Sequence, residues 1–187
     1  MAGIYLYSDK IDIAAELIAF AKQSGKKANA ICFSLADADQ LAQMGADKII
    51  YLKGDSPLVE NYGQAIADFL KNQVAELFVV GATARGRDIS ARVAGYLDCA
   101  MVSDVSSINY SDGKLSTERM MYGGAVVQSE IISGLCVVTV GAGKFEPLKG
   151  SAEIETVAVV ADNRVSLIET APIVKEGVDL RQASSVV

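Results

Sequence analysis

The sequence predicts an α/β fold: a doubly wound, mostly parallel sheet with helices on both faces, and antiparallel strands in the second half. Three observations predict it. Through the first half of the chain, short apolar runs of strand type alternate with segments whose apolar residues recur at helical spacing. The connections between them are short, which is the rhythm of strands joined by helices packed on the sheet. After Leu97 the helical period fades, and strand-type runs punctuated by turn residues take over.

Taken in order, Gly3 to Tyr7 (GIYLY) reads as a first strand. Asp12 is placed to cap the following helix, where Ala14, Leu17, Ile18 and Ala21 form an apolar stripe that Gly25 ends. Ala28 to Phe33 is a second strand, about Asp37 to Met44 a helix closed by Gly45, and Lys48 to Leu52 a third strand. From about Leu58 to Lys71 a helix turns Val59, Tyr62, Ile66, Phe69 and Leu70 toward the sheet. Leu77 to Val80 is a fourth strand, ended by Gly81. Its turn leads to a helix with Ile89, Val93, Ala94 and Leu97 on one face, capped by Thr83 or Asp88.

The second half reads as hairpins. Val102 to Tyr110 and Lys114 to Met121 flank Ser111-Asp112-Gly113, residues suited to a tight turn. Ala125 to Ile132 and Leu135 to Val140 flank Ser133-Gly134, and Glu153 to Val160 and Arg164 to Thr170 flank Asp162-Asn163. The organisation expected is one domain over residues 1–171, then residues 172–187 as a linker ending on the incipient strand Ser184-Ser185-Val186-Val187.

Composition excludes several classes of function. A chain of 187 residues that is 51% hydrophobic can bury a substantial core. A net charge of -6 with scattered Lys and Arg argues against nucleic acid or an anionic membrane surface as partner. There is no His, so Ser-His, Cys-His and His-metal chemistry are absent from this chain. Cys32, Cys99 and Cys136 have no metal-ligand spacing and read as buried free thiols of a reducing compartment. With no signal peptide and no bilayer-length apolar stretch, the expected location is cytoplasmic.

The stretch Gly81-Ala82-Thr83-Ala84-Arg85-Gly86-Arg87-Asp88 lies where a doubly wound sheet places ligands, beyond the carboxyl end of a strand. It reads either as an anion cradle at a helix N-terminus or as a tight turn with surface arginines. It lacks the dinucleotide fingerprint and the phosphate-loop lysine-hydroxyl pair. Arg119-Met120-Met121-Tyr122-Gly123-Gly124 ends a strand on a diglycine, read either as close backbone approach to a partner or as a bulge or turn. One of Met120 and Met121 is expected in the core. Gly141-Ala142-Gly143-Lys144-Phe145 resembles a phosphate loop only in its glycines. Asp9, Asp12 and Asp104 read as caps and turn formers. No catalytic residue or metal ligand set is assigned.

The segment from Gly81 to Leu97 resembles one in the electron transfer flavoprotein alpha subunit, in which a Gly, a Thr, Gly-Arg-Asp, an Arg, an Ala and a Leu recur at fixed spacing. The matching positions are Gly81, Thr83, Gly86, Arg87, Asp88, Arg92, Ala94 and Leu97. Ser103-Asp104, Arg119 with Tyr122-Gly123-Gly124, and Val138-Thr139-Val140 with Gly143 and Phe145 are similar to the family's later motifs. Met120, Ala125 and Gly141 depart from its Pro, Asn and Arg.

The resemblance implies a nucleotide-hydrolase-like α/β domain that packs against a beta subunit and scaffolds a heterodimer rather than performing chemistry. It implies FAD in the parent complex, mainly in a C-terminal domain that this sequence does not contain. Arg119, Tyr122, Gly123 and Gly124 are then expected on the partner side. Arg87 and Asp88 are expected as a buried or interfacial pair fixing the turn. The alternatives are a stand-alone domain binding AMP, ATP or FAD at Gly81, Thr83, Arg85, Gly86, Arg87 and Asp88, and a homo-oligomer.

Overall fold

The computed structural model describes residues 3–172 and residue 185. Apart from residues 172 and 185, the expected linker and terminal strand lie outside the described residues.

The first half alternates β1 (Ile4–Tyr7), α1 (Ile11–Gln23), β2 (Ala28–Cys32), α2 (Leu35–Leu41), β3 (Lys48–Lys53), α3 (Gly63–Asn72), β4 (Leu77–Gly81) and α4 (Ala84–Leu97). A 3-10 turn, Val59–Tyr62, precedes α3. The second half supplies β5 (Ala100–Val105), β6 (Ser107–Ser111), β7 (Lys114–Met121), β8 (Val126–Ser133), β9 (Cys136–Val140) and β10 (Glu153–Ala158).

Seven strands form one sheet in the order β10-β3-β2-β1-β4-β9-β5, and every pair in it is parallel. The order reverses between β1 and β4, which opens a crevice beyond their carboxyl ends. The strands read as continuous apolar runs because both faces are covered. Ile4, Leu6, Leu77, Val79, Val138 and Val140 join Leu17, Ile18 and Leu41 in one core layer. Tyr5, Tyr7, Phe78 and Val80 join Ile66, Leu70, Ile89 and Val93 in the other. Thus α1 and α2 cover one face, and α3 and α4 the other.

The three remaining strands make an antiparallel sheet, β6-β7-β8, that packs on the α1 side through Tyr110 and Leu115. Its hairpin turn is as expected: Asp112 and Gly113 take φ of 53° and 72°, the paired left-handed residues of a two-residue loop.

Four expectations are corrected. Val102 to Tyr110 is not one strand: it breaks at Ser106, so β5 stays in the parallel sheet while β6 leaves it. Ala125 to Val140 is not a hairpin. Cys136 to Val140 is apolar throughout because β9 is a central strand between β4 and β5, whereas β8 pairs with β7. Only the first member of the last pair is a strand; β10 runs parallel to β3, and residues 164–170 form none. Asp12 does not cap α1, whose N-cap is Lys10; Asp12 sits in the first turn.

Candidate functional site

Gly81 to Asp88 joins β4 to α4 at the switch point. Thr83 is the N-cap of α4: its hydroxyl accepts from Gly86 N at 2.9 Å and donates to the Asp9 carboxylate beyond β1. Both glycines are required by close packing. A Cβ on Gly86 would lie 1.9 Å from the Gly81 carbonyl oxygen, and one on Gly81 would lie 2.4 Å from Ser8 Oγ. These two residues draw α4 onto β4 and β4 onto β1.

The arginines of this corner are already paired. Arg85 Nε donates to Glu60 Oε1 at 2.8 Å. Burial works to raise the Glu60 pKa, but the residue's own backbone N–H and Arg85 outweigh it and hold the carboxyl below its ordinary value. Glu60 Oε2 is buried with no hydrogen-bond partner. Arg87 and Asp88 do not pair with one another, as the sequence led one to expect. Helical spacing sends them apart: Asp88 takes Arg92 at 2.9 Å one turn on, and Arg87 reaches across to Asp104. All four of these side chains are substantially exposed. An open cavity of about 610 Å³ lies here, lined by Asp9, Lys10, Glu60, Thr83, Arg85 and Asp88.

Asp104 sits at a bulge of β5, with φ of 54° and a register shift between Val102 and Val105. Its N–H donates to the fully buried Thr139 hydroxyl at 2.7 Å. Next to it, Ser103 Oγ accepts from Arg119 at 3.4 Å, and Arg119 Nε donates to Gln128 at 3.0 Å. Arg87, Ser103, Asp104, Arg119 and Thr139, scattered over the sequence, thus form one connected corner between α4, β5, β7 and β9.

Beyond Arg119 the surface turns apolar. Tyr122, Gly123 and Gly124 all have positive φ and form the tight link from β7 to β8, and Tyr122 is 83% exposed. Register places Met120 opposite Val127 and Ser116 opposite Ile131, so Met120, Val127 and Ile131 share the outward face. Met120 is 65% and Ile131 74% exposed, and Met121 is half-buried, so neither methionine is a buried core residue. Among the described residues no strand covers the outer edge of β8.

Comparison with known proteins bears on this corner. The electron transfer flavoprotein domain family matches residues 10–162. The chain belongs to the electron transfer flavoprotein family. The spacing of its motifs from Gly81 to Phe145 marks it as an alpha-type N-terminal domain of that family. YdiR of Escherichia coli (strain K12), described by its name as an electron transfer flavoprotein subunit, is 31% identical over 193 residues, covering 99% of this chain and 62% of YdiR. Protein FixB of Escherichia coli O157:H7 is 29% identical over 153 residues, 80% of this chain and 49% of FixB. Protein FixB of Salmonella typhimurium (strain LT2) is 28% identical over 149 residues, 78% of this chain and 48% of that protein. The chain therefore spans from 48% to 62% of the length of these relatives.

Among the described residues no helix is long and apolar enough to cross a membrane, and no group of three acidic or Cys side chains is placed to hold a metal. Two residues of the site gave no sequence signal. Glu60 lies in a 3-10 turn remote from Arg85 in sequence, and the outward register of Ile131 depends on a pairing that the hairpin reading had assigned wrongly.

Proposed function

We propose that this chain is the scaffold domain of an alpha-type electron transfer flavoprotein subunit, docking a beta subunit through the outward face of β7 and β8. The observation that carries the reading is the exposed apolar set Met120, Val127 and Ile131 on that face, next to Tyr122 in the exposed Tyr122-Gly123-Gly124 link. Water is a poor neighbour for such a set, and a partner that covers it recovers the transfer free energy. Tyr122, 83% exposed at its margin, is a side chain that interfaces favour as an anchor; Arg119 lies on the other face of β7, held by Gln128 and Ser103.

Family members bind flavin, and FAD, when bound, supplies the electron-carrying chemistry of the complex. The corner from Gly81 to Asp88 does not fit a flavin pyrophosphate. Its glycines are filled by packing, Arg85 and Arg87 are committed to carboxylates, and the three carboxylates Asp9, Glu60 and Asp88 front the cavity against one lysine, Lys10. We therefore assign FAD to a domain beyond residues 1–171, and assign this chain no reaction of its own. Its residues would position the flavin domain and partner, not exchange protons or electrons.

Mixing the chain with a beta subunit from the same organism and measuring the mass of the complex tests this. A heterodimer supports the reading; no complex, with the flavin domain present and with it absent, overturns it. The rival reading, a nucleotide in the 610 Å³ cavity, predicts a melting shift of several degrees with AMP, ATP or FAD. Self-association through β8 would appear as twice the chain mass without any partner.

A further inference from the structure

A second and smaller cavity, of about 120 Å³, lies beyond the carboxyl ends of β1 and β2. It adjoins the open 610 Å³ cavity and shares Asp9 and Arg85 with it. Tyr7, Phe33, Asp37 and Leu41 close it in. One water needs only roughly 15 Å³, so there is room for a group of several heavy atoms.

Three polar groups of this lining are left without a partner that matches them. Tyr7 is 4% exposed, yet its hydroxyl makes no hydrogen bond among the described residues. Its ring is held edge-on to Phe33, with centroids 5.6 Å apart. Burial first, and then the Asp9 charge, raise the Tyr7 pKa above its ordinary value, while Arg85 opposes them, so the hydroxyl stands among these charges. Asp9 accepts one hydrogen bond, from the neutral Thr83 hydroxyl. Asp37 bonds here only through its backbone N–H, which donates to Ser34 Oγ. Among the described residues neither Asp9 nor Asp37 has an ion-pair partner, whereas the Arg85 charge is matched by Glu60.

The pocket is therefore rich in acceptors, negative, and walled by aromatic rings. Buried polar groups ordinarily have partners, and carboxylates beside apolar walls attract a charged donor strongly. A metal ion is poorly served, because no three acidic side chains of the described residues lie together. A primary ammonium group brings one positive charge and three N–H donors on an alkyl stem, which suits two carboxylates and a hydroxyl.

We propose that this cavity binds a small primary amine, its ammonium group held by Asp9, Asp37 and the Tyr7 hydroxyl and its alkyl stem leading toward the open cavity. The site is separate from the β7–β8 face and does not depend on the docking reading.

The test titrates the full 187-residue chain with butylamine at neutral pH, with sodium chloride holding the ionic strength constant. Amide shifts of Ser8, Asp9, Phe33 and Asp37 and the melting temperature are followed. Tetramethylammonium, which has the charge but no N–H donor, and AMP are run in parallel. The native chain should show saturable movement of those amides, and a melting temperature that rises once butylamine is well above its dissociation constant. Tetramethylammonium and AMP should produce neither. Tyr7→Phe removes a hydroxyl that bonds to nothing in the chain, so its melting temperature should not fall, while its affinity should drop roughly threefold to tenfold. Asp37→Asn, at a half-buried position, should fold and bind at least about tenfold more weakly. If Tyr7→Phe does not fold, Asp37→Asn decides alone. The proposal is overturned if the native chain gives no saturable response to butylamine, if tetramethylammonium or AMP moves the same amides as strongly, or if the variants bind butylamine as the native chain does.

Discussion

Arg87 Nε lies 2.9 and 3.0 Å from the two carboxylate oxygens of Asp104, which ties the first turn of α4 to the bulge of β5. The two bonds of Asp104 have different weights. Its ion pair with Arg87 is half exposed and screened, so Arg87→Ala should cost no more than about 1 kcal/mol. Its N–H meets Thr139 Oγ1 inside the sheet. Thr139→Val would strand that donor and should cost roughly 1–3 kcal/mol. Urea unfolding of the two variants should rank them in that order.

Gly86 and Gly95 lie on the same helix and should respond in opposite directions. Gly86→Ala pushes a Cβ against the Gly81 carbonyl and should destabilise by roughly 3 kcal/mol, because backbone atoms on both sides cannot yield. Nothing lies within 4 Å of a Cβ at Gly95, so Gly95→Ala should stabilise by about 0.5–1 kcal/mol. Thermal unfolding reads both. Equal effects would mean that the close approach of α4 to β4 is not what requires Gly86.

Burial pushes the thiols of Cys32 and Cys136 from 9.0 up to about 12. The folded state therefore keeps protons that the unfolded chain releases above pH 9. Stability should be level below that pH and fall as pH rises from about 9 toward 12. Tyr5 and Tyr110, also raised by burial to about 12, add to the fall above pH 10. Denaturant midpoints across this range check the sign. In the same folded protein the half-buried Cys99 should alkylate first, with Cys32 and Cys136 reacting only on unfolding.

The first half of the fold was legible because each strand and helix there carries its own period and its own stop signal. Leu77 to Val80, closed by Gly81, and the Ile89-Val93-Leu97 stripe needed no tertiary information. The second half was misread because β5, β9 and β10 are joined to the parallel sheet by long-range pairings. The apolar run at Cys136 to Val140 shows a strand buried on both faces, but not which strands lie beside it. The motif residues were legible as a resemblance, while their contacts were not. Adjacent in sequence, Arg87 and Asp88 suggested a pair, and only the turn of α4 shows that they face different partners. The bonds of Glu16 to the backbone N–H groups of Gly143, Lys144 and Phe145 were invisible because they span 127 to 129 residues.

The exposed residues of β8 should matter for association and not for folding. Ile131→Asp, on the outward face, should leave the melting temperature nearly unchanged, since surface substitutions fall within about 0.5 kcal/mol. It should weaken binding to the beta subunit at least tenfold, read by calorimetry. Unchanged affinity would remove Ile131 from the interface.

Amide hydrogen exchange of the chain with and without the beta subunit tests the docking face most directly. New protection should appear over Arg119 to Ser133, along β7, the Tyr122-Gly123-Gly124 link and β8, with Ala82 to Asp88 unchanged. Protection confined to Ala82–Asp88, or none anywhere in a mixture shown by mass to contain the complex, would contradict the docking face proposed here.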